Sequence, residues 1–212
     1  VTGVQTCALP IYKPIRLAPF GEGRIVIADI NNHAIRIVDR EGRVTTISGG
    51  PDRKGIQDGP GAEAKFDSPH GVAVSPEGVI AVAGASSHLV RLMTPVNQPG
   101  EPQRYEVSTA AGVPGANGMM DGPAAEAMFN SPHAVAWDCE GGILLVDIGN
   151  ASVRRIADGV VTTAVKPGEG GMAMPIDMSL TNQGDILLAD AGNNSILRRP
   201  AGGEVHTVAM SG

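Results

Sequence analysis

The sequence predicts an all-β chain assembled from repeats of one small antiparallel unit, and three observations predict it. Short runs rich in Val, Ile and Leu recur along the chain, separated by turns that draw on its 29 Gly and 16 Pro, as expected for many brief strands joined by tight connections. The stretch Asp58 to Ser75 returns as Asp121 to Asp138, with 12 of 18 positions identical at a constant offset of 63. The register holds upstream as well, where Thr46, Gly49, Pro51 and Gly55 map onto Thr109, Gly112, Pro114 and Gly118. Within this long period lies a shorter unit that occurs four times. Such a period means copies of one supersecondary unit, none able to bury its own apolar face, so neighbours must stack.

The four units open at Pro14, Pro69, Pro132 and Pro175, spaced by 55, 63 and 43 residues. The first is expected to place strands at Pro14 to Ala18, Arg24 to Asp29, Ala34 to Asp39 and Arg43 to Ser48. The second places them at Gly71 to Val74, Val79 to Ala83, Leu89 to Met93 and Tyr105 to Ala110, and the third at Ala134 to Trp137, Ile143 to Asp147, Ser152 to Ile156 and Val160 to Ala164. The fourth runs through Ile176 to Leu180, Asp185 to Asp190, Ser195 to Arg199 and Glu204 to Ala209. The spacing varies only with the linking loops. Without them each unit has the size of a four-stranded antiparallel propeller blade, giving blades at about 14–48, 69–111, 132–165 and 175–209.

Each unit repeats its turn chemistry after the second strand: Asp29-Ile-Asn-Asn32, Asp147-Ile-Gly-Asn150, Asp190-Ala-Gly-Asn193, and the degenerate Gly84-Ala-Ser-Ser87. Asp and Asn bond their own main chain and tolerate left-handed backbone, which suits a tight connection and makes these acids structural rather than catalytic. An arginine follows in the third strand, read as Arg36, Arg91, Arg154 and Arg198, and is expected to be solvated or paired with an aspartate. The Asp-Gly-Pro loops are read as short helical turns capped by Asp58 and Asp121 and opened by Pro60 and Pro123, with Phe66 and Phe129 plugging the gap between units.

The 42% hydrophobic content is ample for a core. A net charge of -6 without a basic run argues against a nucleic-acid surface, and no stretch approaches the ~20 apolar residues of a spanning helix. Val1 to Ile11 fits none of the repeats and resembles the in-frame translation of a sequencing-library adapter, so residues 1–11 are read as non-native and residues 12–212 as the propeller. Setting Cys7 aside with that segment leaves Cys139 alone, so no intrachain disulfide reports on the redox compartment.

The combination Ser-Pro-His-Gly-Val-Ala-Val, Ile-Val-Ile-Ala-Asp-Ile-Asn-Asn-His-Ala-Ile-Arg and Gly-Arg-Val-Thr-Thr-Ile-Ser-Gly-Gly resembles the NHL repeat family of β-propellers, in particular its bacterial branch with Asp-Gly-Pro loops between blades. The resemblance runs from Pro14 to the end. It implies a six-bladed ring with the first strand of each blade on the axis, of which four blades are present, so that the chain reads as a piece of a longer protein. It also implies a secreted or periplasmic setting.

No Walker loop, nucleophile elbow, HExxH motif or cysteine cluster is present. The residues with chemical promise are His70 and His133, each directly after a blade-opening proline and so placed to face the axis. The resemblance extends to the lyase domain of peptide-amidating enzymes, which places zinc-binding histidines at a similar Pro-His position. That implies zinc at the axis as a candidate cofactor, although Ile15 and Ile176 stand at the matching places of the outer units and a third ligand is needed. Two functions follow as expectations. The leading one is a non-catalytic interaction module that binds a protein, peptide or glycan on the propeller face. The alternative is a metal-dependent lyase or hydrolase with its site at the tunnel mouth.

Overall fold

The structure, a computed structural model, describes residues 10–96 and 103–210. Residues 1–9, which hold Cys7 and most of the adapter-like segment, lie outside the described residues. Four antiparallel sheets follow one another along the chain, as the proline spacing predicts. Blade 1 comprises β1 (Pro14–Pro19), β2 (Ile25–Asp29), β3 (Ala34–Val38) and β4 (Val44–Gly49). Blade 2 comprises β5 (Gly59–Pro60), β6 (Pro69–Val74), β7 (Ile80–Gly84), β8 (Leu89–Val96) and β9 (Arg104–Ala111). Blade 3 comprises β10 (Gly122–Pro123), β11 (Pro132–Trp137), β12 (Ile143–Asp147), β13 (Ser152–Ala157) and β14 (Val160–Val165). Blade 4 comprises β15 (Pro175–Leu180), β16 (Ile186–Asp190), β17 (Ser195–Arg199) and β18 (His206–Met210).

Blades 2 and 3 each gain a two-residue fifth strand that the sequence reading did not anticipate. Gly59 and Pro60 pair with Val107 and Glu106, and Gly122 and Pro123 with Val161 and Val160. A proline is tolerated there because an edge strand needs no inward N–H. The first strands β1, β6, β11 and β15 lie side by side in succession, which makes them the inner wall.

The apolar cores lie between blades rather than within them. Val26, Ala28, Ile35 and Ile37 of blade 1 pack on Val72, Ile80, Val82 and Met93 of blade 2, around Phe66. The same arrangement joins blade 2 to blade 3 around Phe129, and blade 3 to blade 4 around Met172. Phe66 and Phe129 therefore plug the interblade gaps as expected. Strand alternation sends one face of each sheet forward and the other back, which is why a single blade could not hide its apolar residues alone.

Asp58 and Asp121 do not cap helical turns. Pro60 and Pro123 do open a single turn, since their carbonyls accept from Ala64 and Ala127 at 2.9 Å, but the two aspartates reach forward into the next blade. Asp121 Oδ1 accepts from Arg154 Nε at 3.2 Å and Nη2 at 2.5 Å, while Oδ2 accepts from the Thr163 backbone N–H at 3.0 Å. Asp58 holds Arg91 and Thr109 in the same way. The third-strand arginines are thus paired rather than solvated: Arg36, Arg91 and Arg154 are 1%, 3% and 0% exposed. Blade 4 breaks the series, because Leu197, not Arg198, occupies the buried place, and Arg198 turns outward to Asp185.

The Asp-x-x-Asn turns are structural, by a route that differs from the one expected. Asp147 accepts from the Asn130 backbone N–H at 2.7 Å, from Asn150 Nδ2 at 2.7 Å and from Arg154 Nη1 at 3.2 Å. The left-handed residue is the one after the motif: His33, His88, Ala151 and Asn194 have φ between 46° and 57°. The same pattern reaches back to the start of the described chain. Asp29 accepts from the Tyr12 N–H at 2.8 Å and Asn32 Nδ2 donates to the Pro10 carbonyl at 2.9 Å, just as Asn193 donates to Gly171.

Candidate functional site at the propeller axis

Each first strand begins with a register break directly after its proline, between Pro14 and Arg16, Pro69 and Gly71, Pro132 and Val135, and Pro175 and Asp177. A bulge leaves its extra residue outside the ladder and re-aims that side chain. The residues so placed are Ile15, His70, His133 and Ile176. The bulge therefore explains how a sequence position becomes an axial one.

His70 and His133 come together, as their shared register predicts: their ring centroids lie 4.3 Å apart with planes tilted by 59°. The close approach requires Gly71, where a Cβ would stand 2.0 Å from the His133 carbonyl oxygen. His70 Nδ1 donates to the Ser68 carbonyl at 3.0 Å, and His133 Nδ1 donates to the Ser131 carbonyl at 2.8 Å. These bonds place the proton on Nδ1 and leave each Nε2 with a free lone pair. Burial holds both imidazoles below their ordinary pKa, against the pull of the serine carbonyls. The charge of Arg16 acts on both in the same direction as burial, and His133 and Lys13 add to the effect on His70.

Two histidines that the sequence reading did not single out orient this pair. Ser68 and Ser131 carry left-handed backbone at φ 49° and 60°, uncommon for a non-glycine residue. The Ser68 N–H donates to His33 Nδ1 at 3.2 Å, and the Ser131 N–H donates to His88 Nδ1 at 3.0 Å. Each turn histidine thus fixes the serine whose carbonyl fixes the axial histidine of the following blade. The signal was present in the sequence: blade 3 has Ala151 in that turn, and blade 4 correspondingly opens with Ile176 rather than a histidine.

An ion pair completes the axial group. Arg16 of β1 donates from Nη1 to Asp177 Oδ2 of β15 and from Nη2 to the Ile176 carbonyl at 3.0 Å, tying blade 1 to blade 4. Both residues lie two after a blade-opening proline, where blades 2 and 3 carry the small Gly71 and Ala134. Ile15 and Ile176, 46% and 40% exposed, flank this polar group. A cleft of about 450 Å³ lies elsewhere, on the outer side of blade 4 against Ile196 and Met210, where no other blade packs among the described residues.

For zinc, the axis supplies two neutral imidazoles and no more. No group of three His, Cys, Asp or Glu able to hold a metal occurs among the described residues, and Asp177 is committed to Arg16. No helix of the described residues is long and apolar enough to cross a membrane.

No protein-family model matches the chain. It is 37% identical over 90 residues to human NHL repeat-containing protein 2 and 43% identical over 68 residues to the chicken protein of that name. The match covers 42% of this chain and 11% of the human protein, so the chain spans about a tenth of the length of the curated relatives it matches. Among solved structures, a Bacteroides thetaiotaomicron protein of unknown function is 25% identical at a TM-score of 0.56, over 66% of this chain and 32% of that one. A catalytically inactive virginiamycin B lyase from Staphylococcus aureus, solved with quinupristin, superposes over 97% of this chain and 58% of its own at a TM-score of 0.63 and 14% identity. A putative gluconolactonase gives 0.59 and 14% identity over 94% of this chain and 62% of its own. At such identity these last two show the fold alone. The repeat register, the four antiparallel blades and the curated matches together support an NHL-type β-propeller family for this chain.

Proposed function

We propose that the axial face of this propeller is a non-catalytic binding surface for a protein, peptide or glycan, centred on His70, His133, Arg16 and Asp177. The observation that carries this reading is the composition of the group: one ion pair and two imidazoles with free Nε2 atoms, bordered by the exposed Ile15 and Ile176. Such a mixture offers donors, acceptors and apolar contact to a ligand laid across the tunnel mouth. Peptide and glycan arrays probed with the protein and with Arg16→Ala and His133→Ala variants test it. Ligands should be found whose binding falls in both variants; ligands retained equally by both would remove the axis as the binding surface.

A second reading, a metal-dependent lyase or hydrolase, is favoured by one specific feature. Both imidazoles are kept neutral with their Nε2 atoms free, the state in which histidine binds a divalent cation. Zinc, if bound, would act as a Lewis acid at the tunnel mouth, with His70 and His133 as its protein ligands. Two ligands hold it weakly, and protonation competes for the same lone pairs as pH falls. In a zinc titration of the protein beside His70→Ala and His133→Ala, loss of affinity in both variants supports the site. Equal affinity in all three leaves both histidines as polar groups of the binding face.

A further inference from the structure

We propose that the outer edge of blade 4 is a docking site for an extended peptide, which adds to β18 and sets a large apolar side chain over Leu197. Two pairs of hydrogen bonds fix the comparison with blade 3. Asn150 Nδ2 donates to the Gly118 carbonyl as Asn193 Nδ2 does to the Gly171 carbonyl, and the Asn130 N–H donates to Asp147 as the Ala173 N–H does to Asp190. Between these matched points blade 3 holds residues 119–129, whereas blade 4 holds Met172 alone.

The longer segment does three things in blade 3. Gly122 and Pro123 pair with the edge of β14, Asp121 takes the N–H of Thr163, and Phe129 fills the interblade gap. Met172, 3% exposed, takes over only the last of these. The remaining space is a cleft of about 310 Å³ bordered by Gly170, Gly171, Asn193, Ser195, Leu197 and Thr207. The loop that would cover it by the pattern of blades 2 and 3 is described in full. It makes a single turn, Glu169–Gly171, with Gly170 against Val205, and adds no strand to β18. The cleft is thus a consequence of a short loop inside the chain.

The edge beside it is open. Thr207 pairs with Leu197 in the register that Thr163 keeps with Arg154 and Thr109 with Arg91, each next to a bulge. The N–H groups of Thr163 and Thr109 point outward, to Asp121 and Asp58. That of Thr207 therefore points outward too, from an exposed residue on a strand with no neighbour on that side. Strand addition uses such an edge: the peptide backbone supplies the carbonyl, and alternate side chains supply the specificity.

The chain itself indicates the chemistry of that side chain. Blades 2 and 3 place an aspartate here because a guanidinium lies beneath it. Blade 4 has Leu197 in that place, so a carboxylate would rest unpaired on an apolar floor, and Leu, Ile or Met fits instead.

The test is fluorescence anisotropy with a labelled peptide of the sequence Met119 to Phe129 carrying Asp121→Leu, titrated with the 212-residue protein. Saturable one-to-one binding is expected, at least about tenfold tighter, or ~1.4 kcal/mol, than that of the unaltered sequence. Leu197→Arg rebuilds the floor of blade 3, with Asp190 in the place of Asp147, and should reverse the preference. Thr207→Pro removes the outward N–H at an edge that tolerates proline and should weaken the Leu peptide by about the same factor. His133→Ala, at the axis, should leave its binding unchanged. Should Leu197→Arg fail to fold, the two peptides and Thr207→Pro still decide. No saturable binding, equal binding of the two peptides by the unaltered protein, indifference to Thr207→Pro, or loss of binding in His133→Ala would overturn the proposal. So would a dimer paired through β18 that the Leu peptide does not displace.

Discussion

Blades 3 and 4 share the order of their four long strands and the same Asp-x-x-Asn turn, yet they are held in place differently. Arg154 of blade 3 is fully buried and joins Asp147 of its own blade to Asp121 and two carbonyls of the preceding loop. In blade 4 the corresponding side chain is Leu197, the arginine has moved one residue on, and Arg198 pairs with Asp185 with 41% of its side chain exposed. Asp190 compensates by taking backbone N–H groups from Ala173 and Met174 at 3.0 and 2.6 Å. One residue of register thus separates an arginine that fastens the preceding loop to its blade from one that decorates a surface.

Removing the two arginines is the strongest way to test that contrast. Arg154→Leu should cost about 3–5 kcal/mol, because it leaves the buried Asp147 carboxylate without its cationic partner. Arg198→Leu should cost under about 1 kcal/mol, as an exposed pair does. Urea unfolding of the two variants checks the difference; equal losses would mean that the blade 3 network is not what fastens it.

The interfaces offer a second contrast. Phe129 fills the gap before blade 3 and is fully buried, so Phe129→Ala should cost about 3–5 kcal/mol. The open side of blade 4 behaves oppositely: Ile196 is 41% and Met210 65% exposed, where the equivalents of Ile196 in the other blades, Ile35, Val90 and Val153, are fully buried. Leu17 on the outer side of blade 1 is likewise 62% exposed. These uncovered faces should drive self-association. The paired change Ile196→Lys and Met210→Lys should reduce it in sedimentation velocity, with stability altered by no more than about 0.5 kcal/mol.

The axis gives a smaller effect. His70 and His133 have folded pKa values below the ordinary 6.5, so the unfolded chain binds their protons more readily. Their contribution to stability is therefore complete above about pH 6.5 and is lost as pH falls through 6.5 toward the folded values. The urea midpoint should drop between pH 7 and pH 5, and a His70→Gln, His133→Gln variant should show a flatter profile. The smallest effect is at the start of the chain. Deleting residues 1–9 should leave the melting temperature unchanged, whereas extending the deletion through Tyr12 removes the Tyr12 N–H from Asp29 and should cost about 1 kcal/mol.

Read alone, the sequence determined the class, the number of blades and the pairing of His70 with His133, because each follows from periodicity: a constant offset places equivalent residues on equivalent strands. It also marked Phe66 and Phe129 as interblade plugs. The roles of Asp58 and Asp121 were decided by tertiary structure. Their position in an Asp-Gly-Pro turn suggests a cap, and only the stacking of the next blade brings Arg91 and Arg154 within reach. The same holds for Arg16 and Asp177, 161 residues apart, whose meeting depends on how the first strands close around the axis. It holds as well for His33 and His88, which act on the blade after their own. Local pattern fixes which face a side chain takes, but which partner waits on that face is set by the neighbouring blade.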